Sequence, residues 1–284
     1  MSLVRTIVPA LFVLGIASIA DAQTPVDPNL RITPNLRITP NLKITPNLKI
    51  TMSGMDTNKT MPPVMDKMMP PVMDNQTFAH ALLDQAEGRI GGGQNAFRWE
   101  GQAWIGTDYD KLWLKSQGFA RGKGGVEDGR HELLYDRAIT TFVDLQAGVR
   151  TDWDSARGRT WAALGVQGLA PLWFDYEATA YLSDGGHAAL RLAVSYDLLI
   201  TQRLILQPEI EMNFYSKTDP ARRVGAGLSD IDAGVRLRYE ISRKFAPYIG
   251  VAYAGRFGQT ARFARQEGEG ATAVQFVFGI RSWF

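Results

Sequence analysis

Seven methionines, Met52, Met55, Met61, Met65, Met68, Met69 and Met73, crowd into one short stretch of a chain that has nine in all. Their neighbours are mostly Pro, Asp, Lys, Ser, Asn and Thr, so a flexible gap-filling side chain has little to pack against. Thioether sulfur is a soft ligand suited to Cu(I), whereas hard cations prefer oxygen. It carries no proton to displace, so binding does not compete with protonation as it does at Cys or His. The chain has no cysteine, which removes disulfides, thiolate metal sites and cysteine nucleophiles together. The three histidines, His80, His131 and His187, are too dispersed for a local metal motif.

A second set of candidates lies further on. Glu100, Asp108, Glu209, Glu211, Asp230 and Asp232 fall on the polar side of alternating segments, with Arg191, Arg236 and Arg238 on the same kind of face. One reading is a mutually neutralising network that fills a narrow barrel, and this is the favoured one because buried ion pairs are ordinary filling. The other is a cation path lined by carboxylates. No catalytic arrangement stands out. Gly91-Gly92-Gly93 and Arg121-Gly122-Lys123-Gly124-Gly125 lack the spacing of a phosphate-binding loop and read as turns.

The elements that must position these groups follow from periodicity. In Arg203 to Tyr215, Leu204, Leu206, Pro208, Ile210, Met212 and Phe214 alternate with Gln207, Glu209, Glu211 and Asn213. Ile231, Ala233, Val235, Leu237 and Tyr239 likewise oppose Asp230, Asp232, Arg236 and Arg238. Period two is the signature of strands with one apolar face. About twelve such segments are expected, near 77–89, 97–108, 111–121, 130–139, 142–151, 159–167, 172–183, 187–198, 203–215, 228–240, 246–256 and 272–284. The first also has a spacing that suits a helix. Strands near ten residues long fit a tilted bilayer crossing.

Residues 1–22 read as a signal peptide: Arg5, a short apolar run from Ile7 to Ala20, and the small-x-small pattern Ala20-Asp21-Ala22. Residues 28–51 are four hexapeptides, PNLRIT twice and PNLKIT twice, an extended spacer of polyproline character. Between Gln23 and Thr77 there is no aromatic residue, so residues 23–76 are expected to form a disordered tail. All seven tryptophans and nine tyrosines lie beyond Phe78. With 31 basic and 29 acidic residues, charge gives no case for nucleic acid.

The expected fold is therefore all-β: an outer-membrane antiparallel β-barrel of about 12 strands over residues 77–284. Short connections such as Thr140-Thr141 and Gly168 to Pro171 alternate with longer ones, Ser216 to Gly227 and Phe257 to Ala271. That pattern places both termini, and the tail, in the periplasm. The ending VQFVFGIRSWF, with Phe276, Phe278, Ile280 and Phe284 on one face, resembles the terminal-strand signal of bacterial outer-membrane barrels.

The barrel region also resembles the copper resistance protein B family of outer-membrane proteins. The stretches that carry the resemblance are WEGQAWIGTDYDKLWLKSQG (99–118), DLQAGVRTDW (144–153), ALGVQGLAPLWFDYEATAYLSDGG (163–186), YDLLITQRLILQPEIEMN (196–213), GLSDIDAGVRLRYEI (227–241) and FAPYIGV (245–251). Family members carry a Met-rich amino-terminal region, often with histidine. Here MDTNKTMPPVMDKMMPPVMD keeps the Met-Asp pairs without histidine, which favours Cu(I) over Cu(II). The resemblance implies a non-enzymatic role in copper tolerance, by sequestration or by export through the barrel. It implies copper ions, outer-membrane lipid and periplasmic copper-resistance proteins as partners. Two alternatives stand beside it: a general porin or structural barrel with an incidental tail, and a barrel lipase, for which no Ser-His-Asp pattern is evident.

Overall fold

The computed structural model describes residues 76–92, 95–121, 125–153 and 158–284. The expected signal peptide, the hexapeptides and all seven clustered methionines lie outside the described residues. The described chain is nearly all strand: β1 (Phe78–Ile90), β2 (Ala96–Gly106), β3 (Asp110–Arg121), β4 (Gly125–Thr140), β5 (Val143–Trp153), β6 (Arg159–Ala170), β7 (Phe174–Ser183), β8 (His187–Ser195), β9 (Leu198–Leu199), β10 (Leu204–Tyr215), β11 (Gly227–Tyr239), β12 (Phe245–Arg256) and β13 (Thr272–Trp283). Each long strand pairs antiparallel with the next, and β13 pairs back onto β1. Twelve long strands thus close an up-and-down barrel with no free edge.

The alternation decides which side faces where. On β13, Phe276, Phe278 and Ile280 are exposed while Val277 between them is fully buried. On β10 and β11 the buried side chains are Gln207, Glu211, Asn213, Ser229, Arg236 and Arg238, with Ile205 the one apolar member. Apolar groups face outward and ionisable groups inward, the polarity of a membrane-spanning barrel rather than of a soluble one. Tyr109, Phe142, Trp173 and Phe284 are exposed at one end of this apolar band, with Phe97 and Trp153 toward the other. They have the placement of interfacial aromatic girdles.

The first strand, ambiguous in sequence, is a strand because it completes the barrel: Gly88 opposes Phe278 and Ile90 opposes Phe276 across the seam. A Cβ on Gly88 would come within 2.7 Å of the Phe278 ring. The missing side chain therefore gives that ring its place on the outer surface.

Three expectations are corrected. The segment 187–198 is not one strand. β8 ends at Ser195, and only Leu198–Leu199 resumes pairing with β10. Tyr196 donates to the Pro208 carbonyl at 3.1 Å, but Pro208 has no N–H to return the bond, so the ladder lapses there. Loop lengths alternate less than expected, since Asp184–Gly186 joins β7 to β8 in three residues at the end that carries the long loops. The 257–271 connection is not plain loop, because it holds helix α1 (Gly258–Gln266), with Ala261 and Ala264 buried.

The two ends differ. The short-turn end holds the connections 107–109, 141–142, 171–173, 196–203 and 240–244, the start of β1 and the end of β13. The loop end holds the long connections 216–226 and 257–271.

Candidate functional site in the barrel lumen

Because every second residue of every strand points inward, the lumen collects side chains that are far apart in sequence. At mid-height it is packed with ion pairs. Glu211 lies 3.1 Å from Arg191, 3.3 Å from Arg98 and 3.6 Å from Arg130. Asp232 lies 2.5 Å from Arg89 and 2.9 Å from Arg98. Glu209 accepts from Arg236 at 2.9 Å and from Gln85 at 2.9 Å. Glu87 accepts from Arg89 at 2.8 Å, from Arg236 at 2.9 Å and from the Tyr248 hydroxyl at 3.1 Å. Glu100 lies 3.0 Å from Arg98 and 3.8 Å from Arg191.

Of the six carboxylates singled out in the sequence, the fold brings Glu100, Glu209, Glu211 and Asp232 into this one network. Asp230 sits beside it, accepting from Asn213 at 2.8 Å. Asp108 does not belong. The strand ends at Gly106, and Asp108 stands exposed in the turn before β3. Sequence reading missed Glu87, Arg89, Arg98 and Arg130, which carry as much of the network as the residues it found. The alternation Gln85-Glu87-Arg89 was the available signal, hidden by the ambiguity of the first segment.

Chemically, the arrangement neutralises and fills. Glu87, Arg89, Arg98 and Arg236 are at most 2% exposed. Among the described residues, no three His, Cys, Asp or Glu side chains converge to hold a metal ion. The reason is local, because the paired carboxylates of the network face guanidinium groups that would repel a cation. A carboxylate-lined cation path would therefore require these pairs to rearrange.

Two spaces flank the network. One, of about 650 Å³, opens toward the loop end and is lined by Arg89, Arg98, Glu211, Asp230 and Asp232 at its floor. The other, of about 60 Å³, lies among Glu100, Glu132, Glu177 and Arg191. The histidines are as scattered in space as in sequence. His80 lies between Trp104, at 6.1 Å, and Trp283, at 5.6 Å, near the short-turn end. His131 packs on Trp153 at 5.4 Å, and His187 lines the larger space.

A family model described as copper resistance protein B precursor matches residues 77–284. Copper resistance protein B of Escherichia coli is 50% identical over 203 residues, 72% of this chain and 68% of that protein. The copper resistance protein B homolog of Pseudomonas syringae pv. tomato is 42% identical over 206 residues, 72% of this chain and 70% of that protein. Among solved structures, the NanC porin is 11% identical with a TM-score of 0.47, covering 72% of this chain and 99% of its own.

Proposed function

The chain belongs to the copper resistance protein B family, and from that membership we propose that it captures Cu(I) on its methionine-rich tail and sequesters it or aids its export through the barrel. The observation that carries the reading is the clustering of seven thioethers in a sequence without cysteine, joined to a barrel of this family. In an oxidising compartment cysteine would tend to form disulfides, whereas thioethers stay available to a soft cation. The tail is the periplasmic part, after removal of residues 1–22, and hands copper to periplasmic copper-resistance proteins or to the barrel. β1 begins at the short-turn end, so the tail joins the barrel there, and a tether raises the local concentration of what it carries. Lipid surrounds the outward apolar band.

The alternative of a general porin is less well supported, because ion pairs buried at mid-height occupy the space a passive pore for polar solutes needs. The test is a full-length protein with Met52, Met55, Met61, Met65, Met68, Met69 and Met73 all changed to Leu. Volume and apolarity are roughly kept while sulfur is lost. Cu(I) stoichiometry should fall, copper tolerance should decline, and barrel folding should be unchanged. If the variant binds Cu(I) as well as the parent, the methionines are not the ligands, and His80 or the lumen carboxylates become the candidates.

A further inference from the structure

The two long loops of the loop end do not stand away from the barrel. The 216–226 loop turns back on itself through paired backbone bonds between Asp219 and Val224, at 2.8 and 3.1 Å. From that turn the Asp219 carboxylate reaches Arg159 of β6 at 2.8 Å, and Arg222 reaches Asp152 of β5 at 3.2 Å. In the sheet order, β5 and β6 are separated from β10 and β11 by β7 and β8. The 257–271 loop behaves in the same way. Glu269 accepts from Arg256 of its own β12 at 2.6 Å and from Arg121 of β3 at 3.2 Å, with β13, β1 and β2 between.

The loops are also fastened to each other. The Gly225 amide donates to the Thr260 hydroxyl at 2.8 Å, Ser229 lies 2.9 Å from that same hydroxyl, and Arg223 pairs with Glu267. Residues of both loops, Ala221 to Val224 and Glu267 to Ala271, line the space of about 650 Å³. The Asp152–Arg222 pair is only 6% and 10% exposed, so solvent screens it less than an ordinary surface pair. Where the loops meet regular structure, glycines hold left-handed backbone: Gly227 at φ +86°, Gly258 at φ +53° and Gly268 at φ +80°. Nothing stands within 4 Å of where a Cβ would sit on Gly227 or Gly268. Such positions absorb backbone rotation without a packing penalty.

We propose that these two loops form a single lid over the lumen, latched down by ion pairs to β3, β5 and β6 and hinged at Gly227, Gly258 and Gly268. The latch, rather than the strand framework, sets how often solutes enter the space beneath. The lid goes beyond the copper reading and does not rest on it, since it concerns access to the lumen whatever the cargo.

The absence of native cysteine permits a clean test in the full chain. Ala254, which lines the covered space from β12, is changed to Cys as the sole thiol. Its reaction with a neutral, water-soluble maleimide is timed in the parent, in Asp219→Lys, in Arg159→Glu and in the double swap. Heat-modifiable electrophoretic mobility checks that each barrel is folded. Each single change should speed labelling by roughly three- to tenfold, the range for losing one partly buried pair. The double swap should return it toward the parent rate. Asp219→Asn keeps an acceptor for the Ala221 amide but drops the charge, and should accelerate labelling less than Asp219→Lys. Equal rates in all folded variants would overturn the lid. A double swap as fast as the single changes would overturn the latch.

Discussion

Glu211 carries the highest stakes of any single residue in the lumen. Its carboxylate serves three guanidinium groups and also accepts from Gln117 and Asn213, with a side chain 5% exposed. Removing one partner of a buried set leaves the others uncompensated, at a cost of about 3–5 kcal/mol. Glu211→Gln should therefore lower the urea midpoint of barrel unfolding, followed by tryptophan fluorescence in lipid vesicles. An unchanged midpoint would mean that Arg98, Arg130 and Arg191 are satisfied without it. The placing of Glu211 on the polar face was legible from alternation with Ile210 and Met212, and the membrane reading turned that face inward. Its partners were not, because Arg98 lies 113 residues away in sequence.

Among the elements, the seam between β1 and β13 is the least protected by local signals. Phe278 faces outward over Gly88, so Phe278→Arg places a charge in lipid. Near the bilayer midplane that costs about 2–4 kcal/mol. The folded fraction in the outer membrane should drop, as read by heat-modifiable mobility of membrane extracts; normal assembly would show that this face does not meet lipid. The 257–271 loop responds to acid instead. Burial raises the Glu269 carboxyl, but hydrogen bonds and charge from Arg256 and Arg121 outweigh it and hold it below its ordinary value of 4.5. A depressed folded value means the stabilisation is complete above the ordinary value and is lost as pH falls through the lowered one. Pepsin should cut within 257–271 of the parent only below pH 4.5, and of Glu269→Gln already at that value. Equal susceptibility of the two proteins across this range would remove Glu269 from the latch. Helix α1 went unread because nine residues rich in Arg and Gln resemble a polar loop until Ala261 and Ala264 find the barrel to pack on.

For the whole molecule, the mature chain should begin at Gln23, and intact-mass measurement of membrane-extracted protein should show loss of residues 1–22. Retention of Met1 would defeat the signal assignment. Deleting residues 23–76 should leave the barrel's unfolding midpoint unchanged, since β1 and β13 close it without them. The sequence by itself determined the strand count, the boundaries to within a few residues in most cases, and which face of each strand is apolar. Those properties repeat every two residues and are local to each strand. The seven methionines were equally plain, being a matter of composition. What only the tertiary structure decided is who meets whom inside: Arg89 with Asp232 across 143 residues, Asp108 left outside in its turn, and two loops tied over the mouth. Closure at a particular stagger sets which inward residues share a level, and no spacing along one strand encodes the stagger of the strands opposite.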